Sequence, residues 1–397
     1  MNIFSRRLLI KFSFSALLII TVIFQALAQT PKLSGIKGTV IFHIPADSNL
    51  FVGSPSICIL NDGTYVASHD IFGKKSNATS KIYHSTDKGK SWKNVSEIKG
   101  QFWSNLFVHN NTLYILGTIK ANGNLIIRKS IDGGITWTIP QDKKSGLLRE
   151  GKYGGAPTPV VVHNGRLWKA MEYVEPDNKT WGKQFSAFVM SVPIDSDFLD
   201  ADNWLVTNRL KYNAKYLNGE FGGWLEGNAV IGPNGDVVNV IRTDNRNKGA
   251  IDRAAIIHVL DSGKTISFNP DTDFIEMPGG SKKFTIRYDA LSKLYWTISN
   301  YVPEKDRALA RPSEIRNIAA LCYSKDLRHW EVGKIILQHK DIKKHGFQYA
   351  DWQFEGDDII MVSRTAYDDG MGGAKSFHDS NFMTFHRVPK FRKSISK

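Results

Sequence analysis

Four residues of this sequence combine acid–base chemistry with a place beside a short apolar run: His69, Asp70, Glu226 and His378. Proton transfer at a reacting bond needs a histidine or carboxyl group of suitable pKa held within reach of it. Glu226 stands between Gly223 and Gly227, which allow a ligand close to the backbone. In the pairs His69-Asp70 and His378-Asp379 a carboxylate can orient an imidazole. A second set suits a sugar that carries an acidic group. Arg242 and Arg364 have the planar fork that meets a carboxylate in two bonds, with Lys169 and Glu172 in support. Trp224, Tyr349 and Tyr367 offer flat apolar faces, and Asn228, Asn300, Asn381 and Asp351 offer hydrogen-bonding groups. No His, Cys, Asp and Glu residues recur at metal-ligand spacing, so no essential transition metal and no other cofactor is expected, with a rim-bound calcium left open.

A repeat brings residues from 69 to 381 to one place. A short strand, a tight turn and a second apolar strand recur six times. The turns are Asn61-Asp62-Gly63, His109-Asn110-Asn111, His163-Asn164-Gly165, Gly232 to Gly235, Asp289 to Lys293 and Glu355-Gly356-Asp357. Asn-Gly, Asp-Gly and Asn-Asn are hairpin chemistry, and each interval has room for four short strands. No long run repeats at the helical period. The pattern predicts an all-β chain, a six-bladed β-propeller with four-stranded blades. The run Gly38 to His43 is expected to supply the outer strand of the last blade and close the ring. The first strand of each blade lines the central channel and the second returns, so starts of first strands and ends of second strands share one rim. Both residue sets fall on that rim, which is the predicted site.

A second motif accompanies the repeats. Ser85 to Trp92 and Ser130 to Trp137 both read S-x-D-x-G-x-x-W, Ser324 to Trp330 is a looser copy, and a degenerate one lies around Asp195 to Trp204. Asp and Gly form the turn, and Trp anchors it to the sheet. The motif resembles the Asp-box of sialidase-like β-propellers of exported glycan-degrading systems. The resemblance implies boxes on the face opposite the active site. It further implies an Arg-Ile-Pro motif opening the first blade, three arginines on a sialate carboxylate, a Tyr–Glu nucleophile pair and an Asp acid/base. Here the matching places read Val52-Gly53-Ser54-Pro55-Ser56, without the arginine, or His43-Ile44-Pro45, with histidine in its position. On this departure Tyr349 is kept as a binding residue and no tyrosine nucleophile is carried over. The chain also bears a weaker resemblance to ulvan lyase-like and rhamnosyl-glucuronate-active propellers, which implies a His or Tyr base, here His69, and an arginine that neutralises a uronate.

The N-terminus has the pattern of an export signal: Arg6, Arg7 and Lys11, an apolar run from Phe12 to Phe24, and a small-x-small site at Ala26-Leu27-Ala28. The expected organisation is a signal peptide over 1–28 and a single propeller domain over 29–397, periplasmic or extracellular, monomeric and without a membrane span after cleavage. The formal net charge of +14 suits a polyanion. No nucleic-acid motif is present, so the expected partner is an acidic oligo- or polysaccharide. Cys58 and Cys322 fall in strands of different repeats and are expected as free thiols. The functional expectation is glycoside hydrolysis of a sialic- or uronic-acid-containing saccharide. A polysaccharide lyase and a non-catalytic glycan-binding propeller are the alternatives.

Overall fold

The computed structural model describes residues 35–74, 76–245 and 247–395. The export signal expected over 1–28 lies outside the described residues. Among the described residues the chain is built from antiparallel strands, and helical structure is confined to short 3-10 turns.

Each sequence repeat folds as an antiparallel meander. In the first, Ser56–Ile59 pairs with Tyr65–Gly73, which pairs with Thr79–Ser85, which pairs with Lys93–Lys99. The opening strand of this repeat is broken at Gly53-Ser54-Pro55, and its first piece, Leu50–Val52, also pairs with Tyr65–Gly73. Thr39–His43 pairs with Phe382–Val388, so the chain's first described strand completes the last meander and ties the ends of the ring together. Six four-stranded blades were expected, and among the described residues the strands form five sheets. The second and third repeats share an eight-stranded sheet because Leu147–Gly154 also pairs with Arg166–Val174, through Tyr153 with Tyr173 and Gly154 with Glu172. That extra pairing brings Gly154 beside Glu172 on the rim.

The core lies between the sheets. Six apolar clusters form, each shared by consecutive repeats. One joins Leu116, Leu125 and Ile127 to Met171 and Phe188. Another joins Ile57, Tyr65 and Ala67 of the first repeat to Ile360, Val362 and Met383 of the last, closing the circle. Strands buried on both faces explain why the runs read as near-continuous apolar stretches rather than alternating ones. Trp352 is fully buried between the fifth and sixth repeats, with its indole N–H on the Thr285 carbonyl at 3.0 Å. Trp352→Ala is expected to cost about 3–5 kcal/mol of stability, read by chemical denaturation.

The S-x-D motifs fold as compact turns. Asp132 accepts bonds from the Thr136 amide at 2.9 Å and the Thr136 hydroxyl at 2.6 Å, and Ser130 Oγ accepts from the Gly134 amide at 2.7 Å. Asp87 and Asp326 make the same kinds of bond in their own turns. In the degenerate copy Trp204 is anchored through its indole N–H to the Phe198 carbonyl. Cys58 and Cys322 are free and buried.

Candidate active site

The rim opens into a cavity of about 240 Å³ where the strand starts and strand ends of several repeats meet. Asp70, Glu172, Glu226, Tyr349, Arg364 and His378 all line it. Trp103, Phe72 and Trp181 add aromatic surface.

Glu226 is held from two sides. Its Oε1 accepts the Tyr349 hydroxyl at 2.6 Å, and its Oε2 accepts the Arg242 guanidinium at 2.7 Å. Burial alone would push this carboxyl up, but Arg242, the Tyr349 hydroxyl and Arg316 outweigh it and hold Glu226 below the ordinary carboxylate range. Tyr349 is pushed up by burial and by the Glu226 charge, so the phenol keeps its proton and donates it to the carboxylate.

Glu172 behaves in the opposite way. Burial pushes it up to about 7, with the nearby Glu226 charge adding to the rise and the Gly227 amide opposing it. Its Oε1 accepts that amide at 3.1 Å. Asp70 is pushed up by burial to about 6, against the amides of Trp103 and Ser54 and the charge of Arg364. Those amides occupy both its oxygens, at 2.7 and 2.8 Å. The cavity therefore holds three carboxyl groups with different proton affinities.

Arg364 is the guanidinium that lines the cavity. It lies over the rings of Phe72 and Tyr349, 4.6 and 4.9 Å from their centroids, and bonds the His378 carbonyl through Nη2. Its Nε is buried without a hydrogen-bond partner. His378, half exposed at the cavity mouth, pairs through Nδ1 with Asp379 at 2.9 Å; partial desolvation and the Arg364 charge lower its pKa, so it is neutral at pH 7. Arg242 stands behind Glu226, and Arg316, bonded to Gln348, lies over Tyr349 at 5.9 Å.

The remaining expected site residues point elsewhere. His69 turns away from the cavity that Asp70 faces. Its ring lies between Phe42 and Tyr83, Nδ1 donates to the Asp70 carbonyl at 2.9 Å, and burial lowers its pKa to about 4. The base assigned to an elimination is thus walled off. Lys169 is buried in the channel wall, spending Nζ on Thr158 and the Ala156 carbonyl. Trp224 is a core residue packed on Phe221 and Phe268. Asn228 bridges to the Phe284 carbonyl and Ile286 amide of the fifth repeat, and Asp351 to Ser56 and Ile57 of the first. Asn300 donates to three carbonyls, and Asn381 holds Tyr367 and Asp369. Tyr367 stacks edge-on against His339 and His345.

Two absences in the sequence have structural reasons. A side chain at Gly53 would overlap the Asp70 carboxylate, so the place of the missing arginine is already filled. His43 pairs with Asp369 at 3.0 Å in the rim loop. Arg316, which the sequence did not reveal, follows the 3-10 turn Pro312–Glu314 rather than a strand end. Among the described residues no group of three or more His, Cys, Asp or Glu side chains is placed to hold a metal ion, and no helix is long and apolar enough to cross a membrane.

No protein-family model matches the chain. No curated protein matches it either. Solved structures do. The alpha-L-arabinanase of Penicillium chrysogenum, complexed with arabinobiose, superposes with a TM-score of 0.56 at 14% identity, over 92% of this chain and 100% of its own. A mutant of the alpha-L-arabinofuranosidase of Fusarium graminearum with an iminosugar inhibitor gives 0.58 at 13% identity, over 89% and 97%. Trypanosoma rangeli sialidase in complex with sialic acid gives 0.54 at 14% identity, over 85% of this chain and 54% of its own. At such identities the likeness carries the fold: an all-β propeller with four-stranded blades.

Proposed function

We propose that this chain is a retaining glycoside hydrolase of acidic saccharides, built on a six-bladed ring in which the eight-stranded sheet counts as two blades. One observation carries the reading. A single cavity holds Glu226, kept ionised between Tyr349 and Arg242, and Glu172, protonated up to about pH 7. Carboxyl groups driven apart in proton affinity are the requirement of acid–base cleavage at an anomeric carbon. The structural neighbours include proteins named as arabinanase, arabinofuranosidase and sialidase, which supports carbohydrate chemistry at this rim.

In the first step Tyr349 Oη attacks the anomeric carbon as its proton passes to Glu226. The bond to the leaving oxygen breaks, and Glu172 protonates that oxygen. In the second step water attacks the anomeric carbon, the Glu172 carboxylate takes its proton, and the phenol leaves, recovering its own proton from Glu226. A phenol suits an acidic sugar because a neutral nucleophile meets no like-charge repulsion from the substrate's own carboxylate. Arg364, with Arg242 and Arg316 behind it, supplies positive potential for that carboxylate. The export signal read from the sequence would place the enzyme where polymeric glycans are met.

A panel of acidic and neutral aryl glycosides tests the proposal. Release of the aryl group from acidic members, with the product first appearing in the substrate's anomeric configuration by NMR, is expected. A fluorosugar trap should label the peptide that contains Tyr349; inversion of configuration or no turnover across the panel sinks the reading. Arg364→Met should raise KM for acidic glycosides about 10- to 100-fold and leave neutral ones little changed.

A further inference from the structure

Three residues that line the cavity share a backbone conformation that side chains avoid. Trp103, Glu226 and Tyr349 have φ of +48°, +55° and +54°. Each sits where an innermost strand slips register against its partner: between Phe102 and Asn105, between Leu225 and Asn228, and between Gln348 and Asp351. These are bulges, repeated in the second, fourth and sixth repeats. Each is followed by a small residue (Ser104, Gly227, Ala350) and then by a buried Asn or Asp. A non-glycine residue in the left-handed region costs about 1 kcal/mol or more, and such strain persists where surrounding contacts fix it.

The contacts that fix it come from the preceding repeat. At the end of the second strand of the first repeat, Asp70 Oδ2 accepts the Trp103 amide at 2.7 Å. At the same place in the third repeat, Glu172 accepts the Gly227 amide at 3.1 Å. At the same place in the fifth, Asn300 Nδ2 donates to the Phe347 carbonyl at 2.8 Å. The first two are one device, a polar side chain of one repeat clamping the bulge of the next, and the third holds the strand two residues before its bulge. Two of the bulges present Glu226 and Tyr349. The third presents Trp103.

We infer that Asp70 is a positioning residue: its carboxylate clamps the strained Trp103 bulge, and the indole so placed is a stacking platform for a saccharide ring. Glu172 and Asp70 differ in one respect that matters. Glu172 accepts the Gly227 amide through Oε1, whereas both oxygens of Asp70 accept backbone N–H groups, from Trp103 and Ser54. Asp70→Asn breaks one of those bonds, because an amide nitrogen cannot accept. The bulge then relaxes and the indole leaves its place, while the reacting groups on Glu226 and Tyr349 stay. The inference rests on the hydrolase reading for its kinetic form but not for its binding form.

The test is a double-mutant cycle of Asp70→Asn and Trp103→Gly, the latter keeping the left-handed backbone and deleting the indole. On the best acidic aryl glycoside of the panel, each single variant should raise KM about tenfold with kcat within about threefold of wild type. The double variant should match Trp103→Gly alone, because Asp70 acts through the indole. A purely structural Asp70 would give additive effects. A general acid would lose kcat at unchanged KM. Either result overturns the inference. If no glycoside is cleaved, the same cycle is read by calorimetry as the Kd of hyaluronan, alginate and polygalacturonate hexasaccharides and 3′-sialyllactose. Non-additive Kd changes would then keep the clamp while the hydrolase reading falls. Additive changes, or binding unaffected by Trp103→Gly, overturn the clamp, and failure of wild type to bind any of these saccharides overturns both.

Discussion

Glu226→Gln is expected to lower turnover by on the order of 10³-fold or more, with a smaller change in KM. The amide cannot take the Tyr349 proton, and an un-ionised phenol is a poor nucleophile. The same change strands a cation. Arg242 is 1% exposed and Glu226 is its direct partner at 2.7 Å. Removing one member of a buried pair costs about 3–5 kcal/mol, so the variant's thermal midpoint must be measured and activity compared well below it. Tyr349→Phe separates chemistry from stability, because it deletes the attacking oxygen and leaves the Arg242–Glu226 pair intact. It should lose activity to a similar extent while staying folded. A folded Tyr349→Phe enzyme with wild-type turnover would move the nucleophile to Glu226 itself, and a folded Glu226→Gln enzyme with a tenth of wild-type turnover would end the hydrolytic mechanism proposed for this pair.

The rim was legible in the sequence because turn chemistry and strand period fix where each meander begins and ends. Asp70, Glu172, Glu226, Tyr349 and Arg364 could be placed on it for that reason, and His378 through the loop that follows the sixth hairpin. Side-chain direction was not legible to the same degree. His69 and Asp70 are consecutive on one strand and so face opposite sides; only one of them can reach the cavity. Past a bulge the alternation shifts, so Trp224 and Glu226, two residues apart, part company, one in the core and one in the cavity. The bulges left a trace in W-S-N, E-G-N and Y-A-D at equivalent places, a small residue followed by Asn or Asp, which has meaning only once the register slip is known. Several polar residues at strand ends proved to be bridges between repeats. A closed ring leaves many buried backbone groups at its seams, and Asn228, Asn300 and Asp351 satisfy them. Polar character at a strand end therefore marks either the site or a seam, and the sequence does not distinguish them.

The acid limb of the mechanism predicts its own pH signature. Glu172 must carry a proton to release the leaving group, and burial holds that proton up to about pH 7. Activity on a poor leaving group should therefore fall as pH rises through about 7, and Glu172→Gln should abolish that limb with a loss of about 10²- to 10⁴-fold. On an activated aryl leaving group, which departs without protonation, the loss in the glycosylation step should be far smaller. Lys169→Met supplies an internal check: burial lowers Lys169 to about 7, and while charged its ammonium favours the Glu172 anion, so its removal should move the limb to higher pH. Folding stability changes in the same window with a definite sign. Glu172 is raised from 4.5 to about 7, so between those values the folded chain keeps a proton that the unfolded chain releases, and this group's contribution becomes less favourable as pH rises. In Glu172→Gln that slope disappears along with the kinetic limb. Were the acid instead Asp70, whose pKa lies at about 6, Glu172→Gln would leave a falling limb near 6 in place, and the roles of the two carboxyls would have to be exchanged.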